Sequence, residues 1–188
     1  MTDPRAYHHG DLRRALLAAA VEVIEESGPA AVGLRDLARR VGVSHAAPAH
    51  HFGDKAGLLT ALAVEGFGLL AEALEGAGDD LLAAGVAYVD FAVRHRAHFE
   101  VMFRPDLYHW DAPEARAARD RSGAALHSGV ARLPAGRATA GAPQADAMAA
   151  WSIVHGFATL WLAGALPPQV GDDPRDAARA VINRLFDR

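Results

Sequence analysis

The side chains able to do chemistry are few and of a restricted kind. Cysteine is absent, which removes disulfide scaffolds, thiolate metal sites and cysteine nucleophiles. No G-x-S-x-G, G-x-x-x-x-G-K-[ST], G-x-G-x-x-G or H-E-x-x-H motif occurs, so nucleophile elbows, phosphate loops and zinc-hydrolase helices find no support. His95 and His98 stand i, i+3 with Glu100 nearby, a spacing that suits a metal ion. No third ligand is fixed, and a solvated polar face is the simpler expectation. The chain is expected to have no metal, no cofactor and no catalysis.

A second group is chemically coherent. Arg35, Ser44, His45, Ala46, Ala49 and His50 fall in one short stretch. Guanidinium and imidazole groups donate to base edges or phosphates, and an alanine methyl can meet a thymine methyl. His51 is expected to pack beside Phe52. Over residues 1–60, seven basic side chains (Arg5, Arg13, Arg14, Arg35, Arg39, Arg40, Lys55) meet seven acidic ones (Asp3, Asp11, Glu22, Glu25, Glu26, Asp36, Asp54). The net is zero, so any nucleic-acid affinity must come from a local face. Five of the ten histidines (His8, His9, His45, His50, His51) lie in the same stretch and add positive charge in acid.

The elements that must position these groups are helical. Short helices over 34–41 and 45–52, joined by Gly42, Val43 and Ser44, make a helix-turn-helix pattern. Small Ala38 admits the second helix, Gly42 makes the turn, Val43 is expected buried, and Ser44 is expected to cap the helix from His45. The positive end of that helix dipole favours phosphate. The wider chain, 188 residues with 51% apolar and 22% charged side chains, is of folding composition. Helical spacing predicts further helices over 11–27, from Asp54 to 76, from a cap at Asp79 to a break at 104–113, and over 113–133, 144–166 and 174–186. Residues 134–143 read as a loop. No alternating β-branched run reaches five residues, and the expected fold is all-α.

Residues 147–171 carry no charge and are long enough to span a bilayer. Ser152, His155, Gly156, Thr159 and Gly164 interrupt them, which makes an interface helix the better expectation. No membrane is expected as a partner. The N-terminus has no export signal, and a cytoplasmic location is expected.

The stretches 37–44 and 51–59, with 7–13 and Ala47-Pro48, resemble the DNA-binding domain of the TetR family of bacterial repressors. Trp151, His155 and Gly156 resemble the Trp-His-Gly signature of one subgroup's C-terminal domain. The resemblance implies a homodimeric transcription factor that binds double-stranded DNA and is released by a small effector. It also implies a phosphate-pairing role for Lys55 and DNA contact for His45 and His50. Three departures stand out. Gly33 replaces a Ser or Thr cap, Ala49 replaces a DNA-contacting Tyr, and Pro48 removes one backbone bond to the Ser44 carbonyl.

On that resemblance the chain divides into a DNA-binding domain over 1–60, its helix-turn-helix at about 33–52, and an effector and dimerisation domain over 61–188. Phe91, Met102, Phe103, Trp110 and Trp161 are candidates to line a pocket for a small, largely apolar molecule. Trp151, Val154, His155, Ala158 and Leu162, with Val181 and Leu185, are expected to form a four-helix dimer interface. The operator is expected to be a near-palindrome. Two rival readings are a helical metal- or ligand-binding enzyme around His95 and His98, and an adaptor that has lost DNA binding.

Overall fold

Helix α1 (Ala6–Ser27) stops where Gly28 takes a φ of 78° and its amide reaches the Ile24 carbonyl at 2.8 Å. Pro29 then opens a 3-10 turn, Pro29–Ala31. These positions belong to a computed structural model that describes residues 6–131 and 143–184, with side chains over 11–128 and 144–184. Leu16, Ala20 and Ile24, four apart, are buried, as one face of a helix requires.

Helix α2 (Leu34–Val41) begins after Gly33, which gives no side-chain cap, and buries Leu37 and Ala38. Its end is a Schellman motif. Gly42 is left-handed (φ 75°), its amide donates to the Arg39 carbonyl at 3.3 Å, and the Val43 amide donates to Ala38 at 2.9 Å. Val43 itself is only half-buried, and Pro48 is the residue fully enclosed beneath the turn.

Helix α3 runs only over Ala47–Phe52. Ser44 does not cap it through its hydroxyl; its carbonyl accepts the Ala47 amide at 3.0 Å. Pro48 explains the late start, because it has no amide to close the earlier turn on Ser44. His45 and Ala46 therefore lie in the connecting turn. Asp54 caps α4 (Lys55–Gly76), its Oδ1 accepting the Gly57 amide at 2.8 Å.

Asp80, one residue later than expected, caps α5 (Leu81–Arg94) by accepting the Leu82 and Ala83 amides. The continuous helix expected up to residue 103 is broken at His95 (φ −119°, ψ 45°), and α6 (Arg96–Met102) follows. Helices α7 (Pro113–Ala131), α8 (Pro143–Leu162) and α9 (Pro174–Asn183) complete the described set. Helix α8 ends four residues short of expectation at a second Schellman motif, with Gly164 at φ 64° and the Ala165 amide on the Leu160 carbonyl at 3.0 Å. Asp173 and Pro174 start α9 as read from sequence, the carboxylate accepting two amides. No strand occurs among the described residues.

Two compact units result: residues up to Gly66 with Ala97–Arg116, and Phe67–Arg96 with residues from Ala117 onward. In the first, α1, α2 and α3 pack together, and Gly66 makes room for Met102. A Cβ there would lie 2.5 Å from the Met102 sulfur. In the second, α5 packs on α8 and α9, and Gly85 lies against Ile182 and Val154. Arg175 and Asp90 join α9 to α5 at 2.6 Å.

Among the described residues, one helix is long and apolar enough to cross a membrane. It is α4 rather than α8, and 56% of its most apolar window is buried within the protein.

Candidate nucleic-acid interface

The α2–turn–α3 unit presents its polar side outward. Arg35, Ser44, His45, Ala46, Ala49 and His50 are all exposed, while Leu37, Ala38 and Pro48 are enclosed behind them. The sequence reading and the geometry thus bring the six residues to the surface of one motif. His51 is half-buried between the rings of His50 and Phe52, at centroid distances of 5.8 and 6.3 Å, in keeping with a packing role.

Lys55 has one of its three ammonium donors engaged within the chain. It is half-buried at the start of α4, and its Nζ donates to the Ala30 carbonyl at 2.8 Å. The ammonium thereby ties the 3-10 turn to the helix after α3. No sequence signal announced that bond, since a backbone carbonyl 25 residues away leaves no trace in composition.

Local pairing decides how much positive field remains. Arg14 closes on Asp11 at 2.9 Å, Arg39 on Asp36 at 2.9 Å, and Arg40 on Glu26 at 2.8 Å. Hydrogen bonding to Arg40 holds the Glu26 carboxyl below its ordinary range. Arg35 makes no ion pair among the described residues, so it is the arginine of α2 whose charge is not neutralised within the protein. The motif offers short-range donors rather than a strong long-range field.

Elsewhere the expected clusters dissolve. His95 and His98 do not share a helical face, because the helix breaks at His95 and α6 starts at Arg96; nor do they form the solvated polar face expected, since His98 is 7% exposed. His95 packs at 5.3 Å on the Phe91 ring, whereas His98 is buried with Nε2 3.8 Å from Glu65. No group of three or more metal-ligating side chains forms among the described residues.

The expected pocket set draws on both units. Phe91 and Trp161 belong to one unit, and Met102, Phe103 and Trp110 to the other. Phe91 and Met102 are core residues, 3% and 0% exposed. An apolar cavity of the second unit is lined by Leu81, Ala84, Gly85, Tyr88, Val154 and Ile182, among others, and measures about 30 Å³. That holds one or two waters.

Within α8, Val154 and Ala158 are 6% and 0% exposed inside the single chain, so they pack its own core and not a partner. Trp151, His155 and Leu162 are half-buried beside them, Val181 is exposed, and Leu185 lies outside the described residues. The free side of α8 is the opposite one. Met148, Ala149, Ser152, Thr159, Leu160 and Ala163 face solvent within an arc of about 120° at 100° per residue. Periodicity could not separate the two sides, because both are uncharged.

Trp151 and His155 meet at Tyr88. The indole Nε1 donates to the Tyr88 hydroxyl at 3.2 Å, and that hydroxyl lies 2.9 Å from His155 Nδ1. Burial pushes the Tyr88 phenol above its ordinary value and His155 below its own. The lowered His155 value favours its neutral form, in which the Tyr88 hydroxyl can donate to Nδ1.

A family model for bacterial regulatory proteins of the tetR family matches residues 16–62, and one for the tetracyclin repressor-like C-terminal domain matches 81–185, more than half of the chain. The chain belongs to the tetR family of bacterial regulatory proteins. This tetR-family chain is 39% identical over 106 residues to the HTH-type transcriptional regulator BetI of Rhizobium meliloti (strain 1021). That match covers 56% of the chain and 47% of BetI, so it spans about half of that regulator's length. A Rhodococcus sp. RHA1 protein of unknown function has the same fold at a TM-score of 0.79 and 34% identity, with 98% of this chain and 97% of that one covered. AibR, solved with isovaleryl coenzyme A and operator DNA, shares the fold at a TM-score of 0.69 and 18% identity, over 93% of this chain and 98% of that one. The segment matched by the N-terminal family model includes the turn at Gly42.

Proposed function

We propose that this regulator is a repressor that binds a near-palindromic operator as a homodimer and leaves it when a small, largely apolar effector binds. DNA binding is assigned to residues 1–60, and effector binding and dimerisation to 61–188. The observation carrying this reading is the α2–Gly42–α3 motif, whose outward groups are the donor and methyl types that read base edges. Arg35 and Lys55 would anchor phosphates; His45, Ala46, Ala49 and His50 would face the groove. The stretch 1–60 lacks net charge and α3 is short, so two copies about 34–36 Å apart must act together. The uncharged outer arc of α8, with exposed Val181 on α9, suits the surface that holds them. AibR, which binds operator DNA and an acyl thioester, supports the combination of DNA with a small ligand. The small cavity beside Tyr88 would open to admit the effector. The reading assigns the chain no reaction and a cytoplasmic place.

A shift assay with DNA flanking the gene tests this. A discrete complex that survives excess random DNA is expected. Equal affinity for flanking and random duplexes would overturn it and favour the adaptor reading.

A further inference from the structure

The first unit carries an open cleft of about 620 Å³, within the ~300–1,000 Å³ range of small-molecule sites. Its floor is one face of α4: Gly57, Thr60, Ala61 and Val64. The first three are small, which leaves the trough unfilled. Gly57 cannot grow, because a Cβ there would run into the Phe52 carbonyl oxygen.

The rim carries both signs of charge. Arg13 of α1 lies over the Phe52 ring, 5.2 Å from its centroid, a cation–π contact that occupies none of its N–H donors. Glu114 stands in the first turn of α7. Both line the cleft and both are exposed. Neither forms an ion pair among the described residues, although Arg14 next door closes on Asp11.

The remaining polar rim is already engaged. His109 Nε2 sits 3.5 Å from Asp54, its backbone amide donates to the Thr60 hydroxyl at 3.0 Å, and Glu65 lies 3.8 Å from His98. An anionic ligand would meet Glu65 and Glu114, and a cationic one would meet Arg13. A molecule with both charges satisfies the two open groups at once.

We propose that this cleft binds a small zwitterion with an apolar body, its carboxylate on Arg13, its ammonium on Glu114 and its side chain along α4. Amino acids with apolar side chains are that class. His51 and Phe52 of α3 form part of the wall, so the ligand bears on the helix-turn-helix from behind. The site is separate from the apolar cavity beside Tyr88, and its existence does not depend on the effector reading.

Calorimetry on the full chain tests the site with three probes that share a ring: L-phenylalanine, 3-phenylpropanoate and 2-phenylethylamine. L-leucine serves as a second zwitterion. At least one zwitterion is expected to saturate, with both single-charge probes at least about tenfold weaker. Arg13→Gln should bring L-phenylalanine down to the level of the amine. Glu114→Gln should bring it down to that of the acid. Both side chains are exposed, so the fold is expected to persist, as circular dichroism will check. The proposal is overturned if a single-charge probe binds as well as the zwitterion, or if the variants leave affinity unchanged. It is equally overturned if neither zwitterion saturates by about 10 mM.

Discussion

The hydroxyl of Tyr88 lies 2.9 Å from Nδ1 of His155 and is 2% exposed. It accepts a hydrogen bond from the Trp151 indole and shares a second with His155, so three polar side chains of α5 and α8 meet in an apolar setting. A buried hydroxyl with two hydrogen bonds is costly to remove, because both neighbours lose that bond. Tyr88→Phe is expected to destabilise the chain by about 1–3 kcal/mol. Urea denaturation of the variant beside wild type measures this; an unchanged midpoint contradicts the network.

The same pair sets a pH dependence. Burial lowers the His155 pKa relative to the unfolded chain, so the unfolded state binds the extra proton first. The stability this residue contributes is complete above the unfolded value of about 6.5 and is lost as pH falls below it toward the folded one. Wild type should therefore lose more melting temperature between neutral pH and mild acid than His155→Gln does. Parallel curves for the two proteins would dismiss the effect.

Two glycines of α4 should respond to alanine with opposite signs. At position 57 the new Cβ collides with the Phe52 carbonyl oxygen, a backbone atom that cannot swing away. At position 68 a Cβ meets nothing within 4 Å, and the helix gains what a mid-helix glycine forfeits. Gly68→Ala is expected to stabilise by about 0.5–1 kcal/mol. Gly57→Ala is expected to destabilise and to weaken operator binding, because Phe52 ends α3. Denaturation midpoints check both signs.

These cases show what the sequence made legible. Gly42 and Asp173-Pro174 announced their turns because only certain residues can adopt those backbones or cap those amides. The break between α5 and α6 has no proline or glycine to mark it; His95 takes it up. Pro48 was visible, but its effect on the start of α3 depends on which carbonyl loses a donor. Arg35 was legible because α2 is strongly two-sided, with Leu37 and Ala38 inward, and the other five because they follow the turn at Gly42. On α8 an uncharged surface surrounds the helix, and only packing on α5 decided that Val154 and Ala158 turn inward.

Lys55 and His45 should separate anchoring from reading. Lys55→Met removes a phosphate partner and the bond to the Ala30 carbonyl. It should weaken operator and random DNA alike and reduce the salt slope by about one unit. His45→Ala should change preference at one or two base pairs and leave the slope nearly constant. Identical losses on both duplexes for both variants contradict the division of roles.

The dimer surface yields the last prediction. The inward stripe of α8 cannot join two chains, because Val154 and Ala158 are already enclosed. The opposite arc is free, and its large members, Met148 and Leu160, are 55% and 47% exposed, with Val181 of α9 at 40%. Between them stand Ala149, Ser152, Thr159 and Ala163, small enough for a second helix to approach closely. A charge placed on this arc costs the single chain little, since it stays in water, within about 0.5 kcal/mol. Across a two-fold axis it enters twice, and each copy is desolvated without a partner. Leu160→Glu and Val181→Glu together are therefore expected to give a folded, soluble monomer with a melting temperature near wild type and no specific operator complex. Sedimentation equilibrium and a shift assay on the same preparation decide the matter. A variant that stays dimeric places the subunit contact elsewhere, and a monomer that binds the operator at wild-type affinity removes the need for two copies.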